Sequence, residues 1–229
     1  FGFRMPTYSR RSVLFGFGAA VGLASLPRHA FAALDGTPFT FLTDPEARSL
    51  ALLCDTLIPQ DDFPSASQAG VVDFIDLQLA GGYGRGEYLY MDGPHPQGTP
   101  EQGYQSPLRP AELWREGLAA MQTVIGPLEG QPQSALDQLM TDLSEDRPAL
   151  AGRVGAKTFF TELYALTNQG YFADPIYGGN KGYAGWHMVG FPGAFGYFTD
   201  TVDAHNRPYR QPPMGIGHQP GTSDFNWER

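Results

Sequence analysis

With 229 residues, 41% of them hydrophobic and 13% aromatic, the chain is long enough to bury one core of ordinary domain size. Its formal charge of -9 does not suit nucleic acid or an anionic lipid surface. Cys54 is the single cysteine, which excludes an internal disulfide.

The first element in chain order is Ser9-Arg10-Arg11-Ser12-Val13-Leu14, followed by a weakly apolar run from Phe15 to Leu26 and then Ala30-Phe31-Ala32. Paired arginines before such a run, with a small-residue cleavage site after it, read as a twin-arginine export signal over residues 1–32, carried by Arg10 and Arg11. A short membrane anchor is the alternative, but Ser12 to Leu26 gives about 15 residues where a spanning helix needs roughly 20. Removing residues 1–32 removes four arginines and no acid, so the remainder carries -13. The twin-arginine pathway moves folded proteins, a need that is greatest where a cofactor must be inserted first. Nothing after Ala32 has the pattern of a cofactor site, so the expected role is escort of a cofactor-bearing partner.

Residues 33–168 read as a helical domain. Thr43-Asp44-Pro45-Glu46 has the form of a capping box, and Leu50, Leu53, Cys54 and Leu57 recur at helical spacing until Pro59. Cys54 therefore falls on the apolar side, as a buried inert thiol or, alternatively, a partner-bonded one. After the loop Gln60 to Ser65, residues Val71, Phe74, Ile75 and Leu79 predict a second amphipathic helix closed by Gly81-Gly82. From Gly81 to Arg109 the chain is rich in glycine, proline and tyrosine and follows neither helical nor strand period, so this long loop is functional, disordered or laid on another protein. Helices are predicted again over Pro110 to Ile125, Ser134 to Leu143 and Pro148 to Asn168. Their inner faces carry Leu113, Trp114, Gly117 and Met121, then Leu136, Leu139, Met140 and Leu143, then Val154, Phe159, Phe160, Leu163, Tyr164 and Leu166.

Residues 169–229 show no helix or strand pattern and are dominated by glycine, proline and aromatics. An irregular segment with so much apolar surface needs another surface to pack on, either this chain's helices or a partner. The fold expected is all-α, about five helices with long irregular loops and an extended aromatic, Gly/Pro-rich C-terminal arm.

Chemistry-bearing patterns are few. His29, His95, His187, His205 and His218 match no metal-ligand spacing. Trp186-His187-Met188 lacks the Cys-x-x-Cys-His sequence of a covalent haem site. Gly82-Tyr83-Gly84-Arg85-Gly86 follows a helix rather than a strand, and Gly178-Gly179-Asn180-Lys181-Gly182 lacks the hydroxyl residue that a phosphate loop places after its lysine. No Gly-x-Ser-x-Gly elbow is present. No catalytic, cofactor-binding or metal-ligating residue is assigned in this chain.

Two stretches carry a resemblance. Thr56-Leu57-Ile58-Pro59-Gln60-Asp61, with Ala69-Gly70-Val71 and Phe74-Ile75-Asp76, is similar to the opening motif of the small (gamma) subunit of membrane-bound gluconate 2-dehydrogenase. Gly170-Tyr171-Phe172-Ala173-Asp174-Pro175-Ile176-Tyr177-Gly178-Gly179-Asn180-Lys181, through Trp186 and Gly190-Phe191-Pro192-Gly193-Ala194, resembles that family's closing motif and is the more specific. The resemblance implies a heterotrimer on the periplasmic side of the inner membrane, touching the membrane mainly through the complex. Its large subunit would be an FAD flavoprotein and its second subunit a multihaem cytochrome c, with no redox group in the small subunit. The small subunit would support folding, stability and co-export of the flavoprotein by the twin-arginine translocase. Several sugar and sugar-acid dehydrogenases share such a subunit, so the substrate stays open.

In that role Pro175, Gly178, Gly179 and Pro192 would fix turns, and Tyr171, Phe172, Tyr177, Trp186 and Phe191 would anchor the flavoprotein. Asn180 and Lys181 would reach its polar rim. The competing readings are an autonomous exported carbohydrate-active enzyme, in which Asp61, Asp62 and Asp174 converge in a cleft, and a carbohydrate-binding module using its aromatics.

Overall fold

The structure, a computed structural model, describes residues 38–96, 98–147, 150, 153–195, 199, 202–203, 205, 207 and 212–217. The expected leader, with Arg10 and Arg11, lies outside the described residues, as do parts of the C-terminal arm. Among the described residues there are six helices and no strand. They are α1 (Asp44–Leu57), α2 (Val71–Ala80), α3 (Pro110–Ile125), α4 (Gln133–Ser144), α5 (Ala156–Phe172) and α6 (Ala184–Val189). The all-α expectation holds.

The local signals act as the sequence suggests. The Thr43 N–H and hydroxyl donate to Glu46 Oε2 at 2.8 and 2.7 Å, completing the first cap. Pro110 begins α3, where the Arg109 N–H donates to Glu112 at 2.9 Å. The apolar stripes then meet. Helix α5 is the hub, packing against each of the other five. Leu50, Leu53, Ile75, Leu113, Trp114, Leu143, Phe159 and Leu163 are buried at this junction, each contributing about 1.5–3 kcal/mol of transfer free energy. Trp114 meets the Phe159 ring edge-on at 5.3 Å. Cys54 is buried with its sulfur 3.4 Å from Thr167 Oγ1, and burial pushes the thiol up to about 12, so it stays neutral and behaves as a small core residue.

The structure differs from the sequence reading at four points. Helix α5 starts at Ala156 rather than Pro148: Arg153 to Gly155 are not helical, and the first turn begins where Asp146 Oδ1 accepts from the Lys157 N–H at 3.0 Å. Residues 148 and 149 themselves lie outside the described residues. The helix also continues to Phe172, passing through Gly170, whose missing side chain leaves room for the Phe74 ring. Tyr164, expected on the inner face, is exposed and stacks on Phe160 at 6.1 Å between ring centroids. Finally, the segment expected to lack helix contains α6 and two short 3-10 turns, Pro175–Tyr177 and Lys181–Tyr183.

The long loop after α2 is pinned at two tyrosines. Tyr83 donates to Glu162 Oε2 on α5 at 2.5 Å, and Tyr104 donates to the Leu108 carbonyl at 2.6 Å. Between them Tyr88 and Tyr90 stand exposed.

Candidate functional site

The irregular segment after α5 is built as a platform on the ends of α2 and α5. Asp174 opens it by accepting from the Ile176 N–H at 3.0 Å, which fixes the Pro175–Tyr177 turn. Asn180, with φ 49° and ψ 38°, tolerates the left-handed region because its amide bonds locally. Its Nδ2 donates to the Ala173 carbonyl and its Oδ1 accepts from the Gly185 N–H, both at 2.8 Å, and the residue is fully buried. The Trp186 indole N–H donates to the Phe172 carbonyl at 2.8 Å. These bonds bring two donors to the carbonyls at the end of α5 and one acceptor to the start of α6, so α6 is tied to the C-terminus of α5.

Lys181 binds the other side. Its N–H donates to the Ala69 carbonyl at 2.9 Å, its ammonium pairs with Asp73 on α2, and its stem crosses Gly70, where a Cβ would lie 2.7 Å from Lys181 Cε. Gly179 lies directly on α5: a Cβ there would stand 2.1 Å from the Gly170 carbonyl oxygen. The Tyr171 hydroxyl, pushed up to about 12 by burial and by the nearby Asp61 charge, donates to the Pro64 carbonyl at 2.7 Å.

The platform is closed by residues returning from further along the chain. Phe191 packs edge-on against Trp186 at 5.0 Å, and Tyr183 stacks on the same indole at 5.3 Å. Gly193 and Met214 form an isolated parallel bridge. The Ile216 N–H donates to Asp174 Oδ2 at 2.6 Å, and the Gly215 N–H donates to the Tyr183 hydroxyl at 3.1 Å.

Beside Lys181, which is half-buried and paired with Asp73, the predicted interface residues divide. Tyr171, Gly179, Asn180 and Trp186 are buried in their own chain, while Pro175, Gly178 and Pro192 are half-buried. Phe172, Tyr177 and Phe191 are exposed. The surface also presents apolar side chains that the sequence reading did not single out: Ile176 at 57% exposure, Ile216 at 71%, Val189 at 60% and Leu77 at 49%. Ile176 borders Gly217 and Leu77 borders Gly178, so residues from α2, the first turn and the returning strand of chain share one face. Leu77 had a signal available, being the large apolar residue of α2 that falls off its inner face.

Of the acids proposed for an autonomous enzyme, Asp61 and Asp174 bind backbone N–H groups. Asp61 Oδ1 accepts from the Phe63 N–H at 2.8 Å, and both Asp174 oxygens accept backbone N–H groups. Among the described residues, no group of three His, Cys, Asp or Glu side chains is placed to hold a metal ion. His187 on α6 lies below its ordinary pKa through burial, and Met188 beside it packs on the core. Gly82 to Gly86 form turns directly after α2, so they have no strand behind them. Among the described residues, no helix is long and apolar enough to cross a membrane.

A family model described as gluconate 2-dehydrogenase subunit 3 matches residues 44–193. The match begins with the first residue of α1 and ends at the Gly193 bridge, so it covers the helical body and the platform together. No curated protein and no solved structure matches.

Proposed function

The chain belongs to the gluconate 2-dehydrogenase subunit 3 family, and on that premise we propose that it is the non-catalytic small subunit of a dehydrogenase complex acting on gluconate or a related sugar. Its partners are a large FAD flavoprotein and a multihaem cytochrome c, which hold the redox groups. The complex sits on the periplasmic side of the inner membrane. The small subunit stabilises the flavoprotein and carries it through the twin-arginine translocase by means of Arg10 and Arg11.

One observation carries this reading. The buried Asn180 and Trp186 and the half-buried Lys181 all bond within their own chain and fix an irregular segment, and that segment directs Ile176, Tyr177, Phe191 and Ile216 into solvent. Rigid apolar side chains on ordered turns are an arrangement suited to a protein interface, because little conformational entropy remains to be lost on docking.

The test is purification of the tagged chain from its own membranes, with the visible spectrum and the masses of accompanying chains recorded. Flavin and haem Soret absorption with two co-purifying chains is the expected result. A colourless, lone 25.0 kDa species would overturn the assignment.

A further inference from the structure

Residues 40–42, just before α1, are held by side chains from α2 and α3. Three consecutive backbone N–H groups converge on one carboxylate of α2: Thr40 donates to Asp76 Oδ2, and Phe41 and Leu42 donate to Asp76 Oδ1, all at 2.8 Å. Asp76 is only 3% exposed. Arg115 on α3 closes the same stretch from outside, donating to the Phe41 carbonyl and to Glu46 Oε1 at 2.6 Å each, with its guanidinium 4.1 Å over the Phe41 ring. Leu42 is buried in the core below.

The coupling runs both ways. Residues 40–42 cannot find these partners until α2 and α3, whose contributing side chains lie 34 to 74 residues further on, have assembled. Conversely, opening the strap takes from Asp76 the three backbone N–H donors that its carboxylate accepts from. An open strap would also release Phe39, Phe41 and Leu42, three large apolar side chains, within ten residues of Ala32.

We propose that the Asp76 clamp is a folding gate: residues 38–43 close only on a completed helical body, and their closure is what makes the preceding leader competent for export. The inference rests on the export reading above and adds a residue-level checkpoint to it.

The full-length precursor is compared with Asp76→Asn by amide hydrogen exchange and by its distribution between cytoplasm and periplasm. Exchange over residues 38–43 should accelerate about tenfold or more, α1 to α5 should keep their protection, and the periplasmic fraction should be lost. Faster exchange with undiminished export overturns the proposal, as does unchanged exchange. If Asp76→Asn loses its helical signal altogether, Arg115→Gln, on the exposed side of the strap, is read in the same way with a smaller shift. Leu143→Ala destabilises the core from α4, which packs on α1 and α5 rather than on the helices that hold the strap; export lost equally in that variant would also overturn the gate. Arg10→Lys with Arg11→Lys separates the two levels, since export persisting in that double variant removes the twin-arginine reading whatever the strap does.

Discussion

The helical body and the platform after α5 are both well packed, yet different forces hold them. In the body, stripes of leucine, phenylalanine and tryptophan meet around α5, and the free energy is spread over many similar contacts. In the platform, a few specific bonds and close approaches do the holding: the Asn180 amide, the Lys181–Asp73 ion pair and Gly179 on the Gly170 carbonyl. A distributed core tolerates change but cannot present apolar side chains. A segment fixed by its backbone can leave Ile176 and Ile216 in solvent and still be ordered.

This contrast can be broken first from the body. Phe159→Ala removes a fully buried ring that contacts Trp114 and should cost about 3–5 kcal/mol. Chemical denaturation should show one cooperative transition shifted as a whole, and a transition split into body and platform would contradict the hub role of α5. Gly179→Ala tests the platform alone. Its added methyl meets a backbone carbonyl that cannot move without bending α5, and the expected cost is about 1–3 kcal/mol. Hydrogen exchange should rise across residues 173–193 while α1 and α4 stay protected.

Ile176→Ser combined with Tyr177→Ala removes two of the apolar side chains that the platform exposes. Both side chains are more than half exposed, so stability should change by no more than about 0.5 kcal/mol. Association with the large subunit should weaken about tenfold or more. Unchanged co-purification in salt-washed membranes would take the interface away from this face.

The smallest effect expected is that of His187. Burial holds its folded pKa below the ordinary value. The unfolded imidazole thus takes up a proton first, so stability is complete above about pH 6.5 and declines as pH falls below it. Exchange at residues 184–189, corrected for intrinsic rates, should rise modestly on going from about pH 7.5 to about pH 6, with α2 unaffected. Equal protection at both values would mean that the charged form is accommodated.

Legibility followed the same division. The Thr43–Glu46 cap, the Pro110 start of α3 and the inner face Leu136, Leu139, Met140 and Leu143 could all be read directly, because their signals lie within a turn or two of one another. The closing motif was visible as a set of residues, but not as a surface. Tyr171, Asn180 and Trp186 look like display residues by type and are buried, whereas Ile176 looks ordinary and is exposed. The start of α5 is not legible from periodicity, because Asp146, which accepts from its first turn, stands ten residues before Ala156.

Helical periodicity is written among residues three and four apart, and it is enough to make the chain helical, to place most of its helices and to mark the stripes they bury. Which aromatics face inward and which apolar groups remain on the surface is set by long-range packing. Those outcomes depend on meetings such as Tyr171 with Pro64 across 107 positions and Lys181 with Asp73 across 108. An irregular segment has no period of its own to announce them, and the backbone groups it must satisfy are found only once the helices beneath it have packed.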